Sequence, residues 1–119
     1  MTFETFILFL WLQYCSAFYR VEPEFVKAVA DIESGVSQGF KTGAIDKRGK
    51  YIAPMGIYYK CAPGYNKHDP FVNIALGARA LGRFKDKKRA LKKYNTAYND
   101  KYYKTIITKY KYYKQKGLQ

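Results

Sequence analysis

The chain has 119 residues, 48% hydrophobic and 26% charged, which is the composition of one globular domain and excludes a disordered, collagen-like or disulfide-dense chain. Its charge is the departure from ordinary usage: 22 Lys and Arg stand against 9 Asp and Glu, a formal net charge of +13. A field of that sign attracts polyanions, and nucleic acid, an anionic membrane surface and an acidic bacterial wall satisfy it equally.

The N-terminal stretch opens on an unbroken apolar run from Phe6 to Leu12. Small residues at Cys15, Ser16 and Ala17 suit a signal-peptidase site, but the segment carries Glu4 and no leading Lys or Arg. Phe6, Leu10, Gln13, Tyr14, Ala17 and Phe18 also fit a first helix that packs this face into a core and ends near Arg20 and Val21. The core helix over 1–20 is the preferred reading, with a signal segment as the alternative. The run is far shorter than the roughly 20 residues that span a bilayer, so no transmembrane anchor is expected.

Pro23 suits the first turn of a second helix, in which Phe25, Val29 and Ile32 form one apolar stripe and Val26 and Ala30 its neighbour. Ser34 and Gly35 end it, which places Glu33 in its last turn. From Val36 to Ala53 the glycine-rich chain reads as a loop or short hairpin, followed by a short apolar segment to Tyr59 and a turn at Cys61 to Gly64. Asp69 and Pro70 open a third helix with Phe71, Ile74, Ala78 and Leu81 on one face. A fourth carries Ala90, Leu91, Tyr94 and Ala97. The last spans about Lys101 to Lys114, with Tyr103, Ile106, Tyr110 and Tyr113 recurring at helical spacing.

The expectation is therefore a single, mainly α domain over 1–119. The interleaved Lys and Tyr of the last helix could stack on nucleic acid, but an amphipathic helix with a wet lysine face explains them more simply. Cys15 and Cys61 have no metal-binding spacing and could form one disulfide or remain thiols. His68, before Asp69 and Pro70, reads as an exposed turn residue. No metal and no cofactor is expected.

Glu33 is the carboxylate that the pattern singles out. It extends the Val26 and Ala30 stripe by a further turn, so it leaves the helix at the border of a buried face and at the negative end of the helix dipole. Both effects favour the neutral acid, as a general acid at neutral pH requires. On pattern alone, a solvent-facing Glu at a frayed helix end explains it as well.

Four blocks, in order, then carry a resemblance. They are Glu22-Pro23-Glu24-Phe25 through Ile32-Glu33-Ser34-Gly35; Ala53-Pro54-Met55-Gly56-Ile57; Asp69-Pro70-Phe71-Val72-Asn73-Ile74 through Gly77-Ala78 to Leu81; and Ala90-Leu91-Lys92-Lys93-Tyr94-Asn95. Together they resemble the catalytic domain of soluble lytic transglycosylases, with goose-type lysozymes as cousins, over Val21 to Tyr113.

The resemblance implies a lysozyme-like fold, peptidoglycan glycan strands as substrate, and cleavage between N-acetylmuramic acid and N-acetylglucosamine. It implies Glu33 as catalytic acid and base, Tyr94 orienting Glu33 or a sugar, Asn95 and Met55 lining the cleft floor, and Ser34 supporting the helix end or the substrate. Asp46 is similar in position to the aspartate that positions a hydrolytic water in goose-type lysozymes, so a hydrolase using Glu33 and Asp46 is the competing enzyme reading. Asp46 also fits an ordinary turn before Lys47, Arg48 and Gly49.

Three positions depart from the pattern: Gly56 replaces the usual Gln, Ala53 the usual Gly, and Thr96-Ala97 the usual Ala-Gly. A non-enzymatic alternative is a basic structural or binding module for wall or nucleic acid, nucleic acid being disfavoured. A wall substrate implies an extracytoplasmic or virion-borne location and suits a phage or secretion assembly.

Overall fold

A computed structural model of the chain describes residues 2–34 and 49–118. Five helices and one small hairpin follow in chain order: α1 (Phe3–Phe18), α2 (Pro23–Ser34), β1 (Tyr51–Ile52), β2 (Ile57–Tyr58), α3 (Pro70–Leu81), α4 (Lys87–Tyr94) and α5 (Asp100–Lys116). Helix starts obey local chemistry. Thr2, Asp69, Asp86 and Asn99 each place a side-chain oxygen on a backbone N–H of the first turn, and Pro70 follows its cap directly. The fourth helix ends at Tyr94, before Ala97, because Asn95 turns extended and its Oδ1 accepts from Ala97 N at 2.9 Å.

Helix α2 is the centre of the molecule and is flanked by α5, α1 and α3. All seven residues from Phe25 to Asp31 are buried, so it is covered on every side rather than along one stripe. That position explains an otherwise costly feature, Lys27 and Asp31 inside the core at 1% and 4% exposure. At i and i+4 they form an ion pair, Tyr113 of α5 donates its hydroxyl to Asp31 Oδ2, and Lys109 reaches the same oxygen at 3.4 Å. Lys27 Nζ also lies over the rings of Phe9 and Tyr113, which ties α1, α2 and α5 through one cation.

A second polar staple sits at the entrance to α2. Glu22 accepts from Lys87 at 2.8 Å, from Tyr110 at 2.8 Å and from Lys114 at 3.1 Å, which fixes α4 and α5 against the start of α2. These partners, Lys87 foremost, hold the Glu22 carboxyl down at about 2.

The hairpin pairs Tyr51 with Tyr58 and Ile52 with Ile57. Its first strand falls at the end of the Val36–Ala53 stretch in which the sequence suggested a loop or short hairpin, and its second in the apolar segment that follows. Buried Asn73 of α3 anchors it, accepting from Met55 N at 2.8 Å and donating to Ile52 O at 2.9 Å and Lys67 O at 3.0 Å.

Helix α1 corrects an expectation. The face assigned to the core, Phe6, Leu10, Gln13, Tyr14, Ala17 and Phe18, is exposed, and Leu8, Phe9, Leu12, Cys15 and Ser16 are buried instead. The helix is apolar on both faces, so its periodicity gives no direction. The inner face is chosen by packing on α3 and α2. Cys15 is buried and Cys61 exposed, and both are free thiols. His68 is exposed, as expected of a turn residue.

Candidate active site

Glu33 stands in the last turn of α2, partly buried, where α5 and the hairpin meet it. Its Oε1 accepts a hydrogen bond from the Tyr102 hydroxyl of α5 at 2.7 Å. Burial pushes the Glu33 carboxyl above the usual carboxylate range, and Tyr102 opposes this by stabilising the ionised form. The Tyr102 hydroxyl is itself raised by burial and by the neighbouring Glu33 charge, with a countering hydrogen bond from Asn95. Asn95, whose Oδ1 is occupied by Ala97 N, thus supports Tyr102, which in turn holds Glu33.

Gly56, in the tip of the hairpin, covers the other carboxylate oxygen. Its backbone has φ +66°, and a Cβ there would lie 2.5 Å from Glu33 Oε2. The glutamine of the resembling segment has no room in this arrangement. The glycine is what allows the hairpin to approach Glu33 this closely.

The remaining predicted residues take other places. Met55 is wholly buried and packs against Gly77, where a Cβ would come within 2.7 Å of it. It supports the site from beneath rather than lining a cleft. Tyr94 does not bond Glu33; its hydroxyl donates to the Met55 carbonyl, fixing the hairpin to α4, and burial followed by the Glu33 charge raises its pKa. Ser34 donates to Ala30 O, so it serves the helix end. Asp46 lies outside the described residues.

Tyr102 and Asn73 were not singled out from the sequence. Tyr102 belongs to a run of tyrosines in which nothing marks one as special. Asn73 carried a usable signal, an amide in the middle of an apolar helical face.

A cleft of about 270 Å³ opens beside Gly56 and Tyr94. Tyr51 and Tyr58 of the hairpin line it together with Arg79, Arg83 and Lys93, and no carboxylate does among the described residues. It can receive a polar ligand with an acidic substituent next to the residue that covers Glu33. Among the described residues, no group of three His, Cys, Asp or Glu side chains could hold a metal ion. Comparison of the chain with family models, with curated proteins and with solved structures finds no match.

Proposed function

We propose that the protein is a peptidoglycan lytic transglycosylase of lysozyme-like fold, with Glu33 as its acid and base. The observation that carries this reading is a single carboxylate, raised by burial, held by one tyrosine and covered by Gly56, which itself lines a cationic cleft. The influences acting on Glu33 are burial and Tyr102, with no second carboxylate among the described residues. Glycosidases that work through two carboxylates need the pair about 5 to 9.5 Å apart.

A one-carboxylate route uses what this arrangement offers. Neutral Glu33 protonates the glycosidic oxygen as the bond breaks, and the departing sugar leaves as an alcohol. The acetamido oxygen of the muramic residue stabilises the oxocarbenium centre. The Glu33 carboxylate then takes the proton of the muramic 6-hydroxyl, whose oxygen closes on C1, so a 1,6-anhydro end forms without water and Glu33 is neutral again. Tyr102 keeps Glu33 aimed in both protonation states, since its hydroxyl can donate to either. The cationic cleft fits the carboxylates that stem peptides carry on the wall glycan. Working on this substrate places the protein outside the cytoplasmic membrane or on a virion or secretion machine.

Digestion of purified peptidoglycan by the wild type and by Glu33→Gln, with product masses read by spectrometry, tests the reading. Anhydro-muramic ends from the wild type, absent with Glu33→Gln, are expected. Reducing ends that have gained water would make the protein a hydrolase and turn attention to Asp46. Absence of cleavage by the wild type would leave a basic binding module.

A further inference from the structure

The outward face of α1 is a second feature, independent of Glu33. Phe3, Phe6, Leu10, Tyr14 and Ala17 recur at spacings of three and four, so they lie along one side of the helix. Phe3 is 79% exposed, Tyr14 61% and Leu10 47%, with Phe18 at 67% on the flank. No charged residue interrupts this face; Glu4 lies to one side in the first turn. An exposed stripe of large apolar side chains along a whole helix marks an interaction surface.

The charges around it indicate what covers it. Of the acids in the described residues, Asp31 is paired inside the core, Glu22 is held by two lysines, and Glu33 is partly buried under Gly56. Glu4, Glu24, Asp69, Asp86 and Asp100 all sit at helix N-terminal ends. The lysines and arginines are mostly outward. Next to the stripe, exposed Arg20 follows the end of α1, and a groove beside Phe6 and Leu10 is edged by Lys116 and Leu118 of the C-terminus, with Glu24 its one acid.

A second copy would bring two bodies of +13 together. A sugar chain would demand a run of hydrogen-bond partners, and among the described residues of α1 this side offers Gln13 and Tyr14. An anionic bilayer satisfies both the apolar stripe and the chain's net charge of +13. With 16 residues α1 is about 24 Å long, and no described helix is long and apolar enough to cross a membrane, so a helix bound to a bilayer by this face would lie in the interface plane.

We propose that α1 docks the protein on an anionic phospholipid surface, with Phe3, Phe6, Leu10 and Tyr14 entering the boundary between headgroups and acyl chains. The docked enzyme would work in the layer of wall nearest the membrane.

The test uses full-length protein and vesicles of equimolar phosphatidylglycerol and phosphatidylcholine, with no wall material present, so its outcome is separate from that of the glycan reading. Co-sedimentation is expected for the wild type and weakened by about a hundredfold in the triple variant Phe6→Gln, Leu10→Gln, Tyr14→Gln. The variant changes only exposed side chains, and its circular dichroism and melting should match the wild type. Trp11, the single tryptophan, stacks on Tyr14 at 5.5 Å and reports insertion directly. Bromine-labelled acyl chains should quench its fluorescence in the wild type and not in the variant. Equal binding by the two proteins would reduce the interaction to charge alone and overturn the proposal. So would failure of the wild type to bind, or lipid-free wild-type dimers that the triple variant abolishes.

Discussion

Gly56 faces Glu33 across a gap that admits no side chain, since an added Cβ would lie 2.5 Å from Glu33 Oε2 and 2.9 Å from Glu33 Cβ. The backbone there has φ +66°, which a residue with a Cβ adopts only at a cost. Gly56→Gln, the change toward the glutamine of the transglycosylase segment, is therefore expected to destabilise the fold by about 2 kcal/mol. It should also lower cleavage by at least about tenfold, because Glu33 must move. Urea unfolding and peptidoglycan turnover measure the two effects. A Gly56→Gln protein as stable and active as the wild type would refute the closeness of this contact.

Tyr102 holds Glu33 toward its ionised form, so its removal lets the carboxyl rise further. If Glu33 acts as the acid, Tyr102→Phe should shift the alkaline limb of the cleavage profile to higher pH, while turnover at neutral pH falls about tenfold from lost positioning. Rates measured across the pH range check the sign. An alkaline limb that moved to lower pH would mean that Tyr102 acts on Glu33 in some other way.

Burial of Glu33 has a consequence for stability as well. A carboxyl whose folded pKa is raised contributes stability that is fully present below its unfolded value of about 4.5 and is lost as pH rises through the folded value. Glu33→Gln should abolish cleavage and yet leave the protein more stable than the wild type at neutral pH, with the difference shrinking as pH falls through the raised folded value and gone below about 4.5. Melting temperatures of both proteins along a pH series decide it. A Glu33→Gln protein less stable than the wild type at neutral pH would show that Glu33 contributes structure rather than strain.

The Lys27 and Asp31 pair is wholly enclosed, with both side chains at 1% exposure. Lys27→Met alone strands Asp31 among Tyr113 and the more distant Lys109 and should cost about 3 kcal/mol. The double change Lys27→Met, Asp31→Leu removes both charges and should recover most of that loss. Denaturant midpoints of the four proteins in this cycle give the coupling. If the double variant lost as much as the sum of the two single ones, the pair would not be acting as one unit.

The helices were legible where local signals point inward. Pro23 and Ser34 bound α2, Asp69 and Pro70 start α3, and Ile106 and Tyr113 of α5 are buried as their spacing required. Glu33 in a final turn at the edge of a buried face was legible on the same grounds. The orientation of α1 was not, because a helix apolar all round offers two faces and only its neighbours choose between them. Nor was the partner of Glu33: Tyr94 closes one helical pattern and Tyr102 opens the next, and which one reaches Glu33 depends on how α5 crosses α2. The burial of Lys27 and Asp31 was hidden for the opposite reason, since charges at that spacing ordinarily mark a wet face.

The hydrogen bond between Glu33 and Tyr102 joins residues 69 positions apart, the second of them on α5, the last of the described helices. During synthesis the carboxylate is made early and gains its tyrosine only after α5 has formed and docked. A ribosome-bound or C-terminally clipped chain thus carries Glu33 without the group that aims it. If Glu33 is the acid of the proposed reaction, a protease that trims α5 would disarm the protein without touching Glu33 itself.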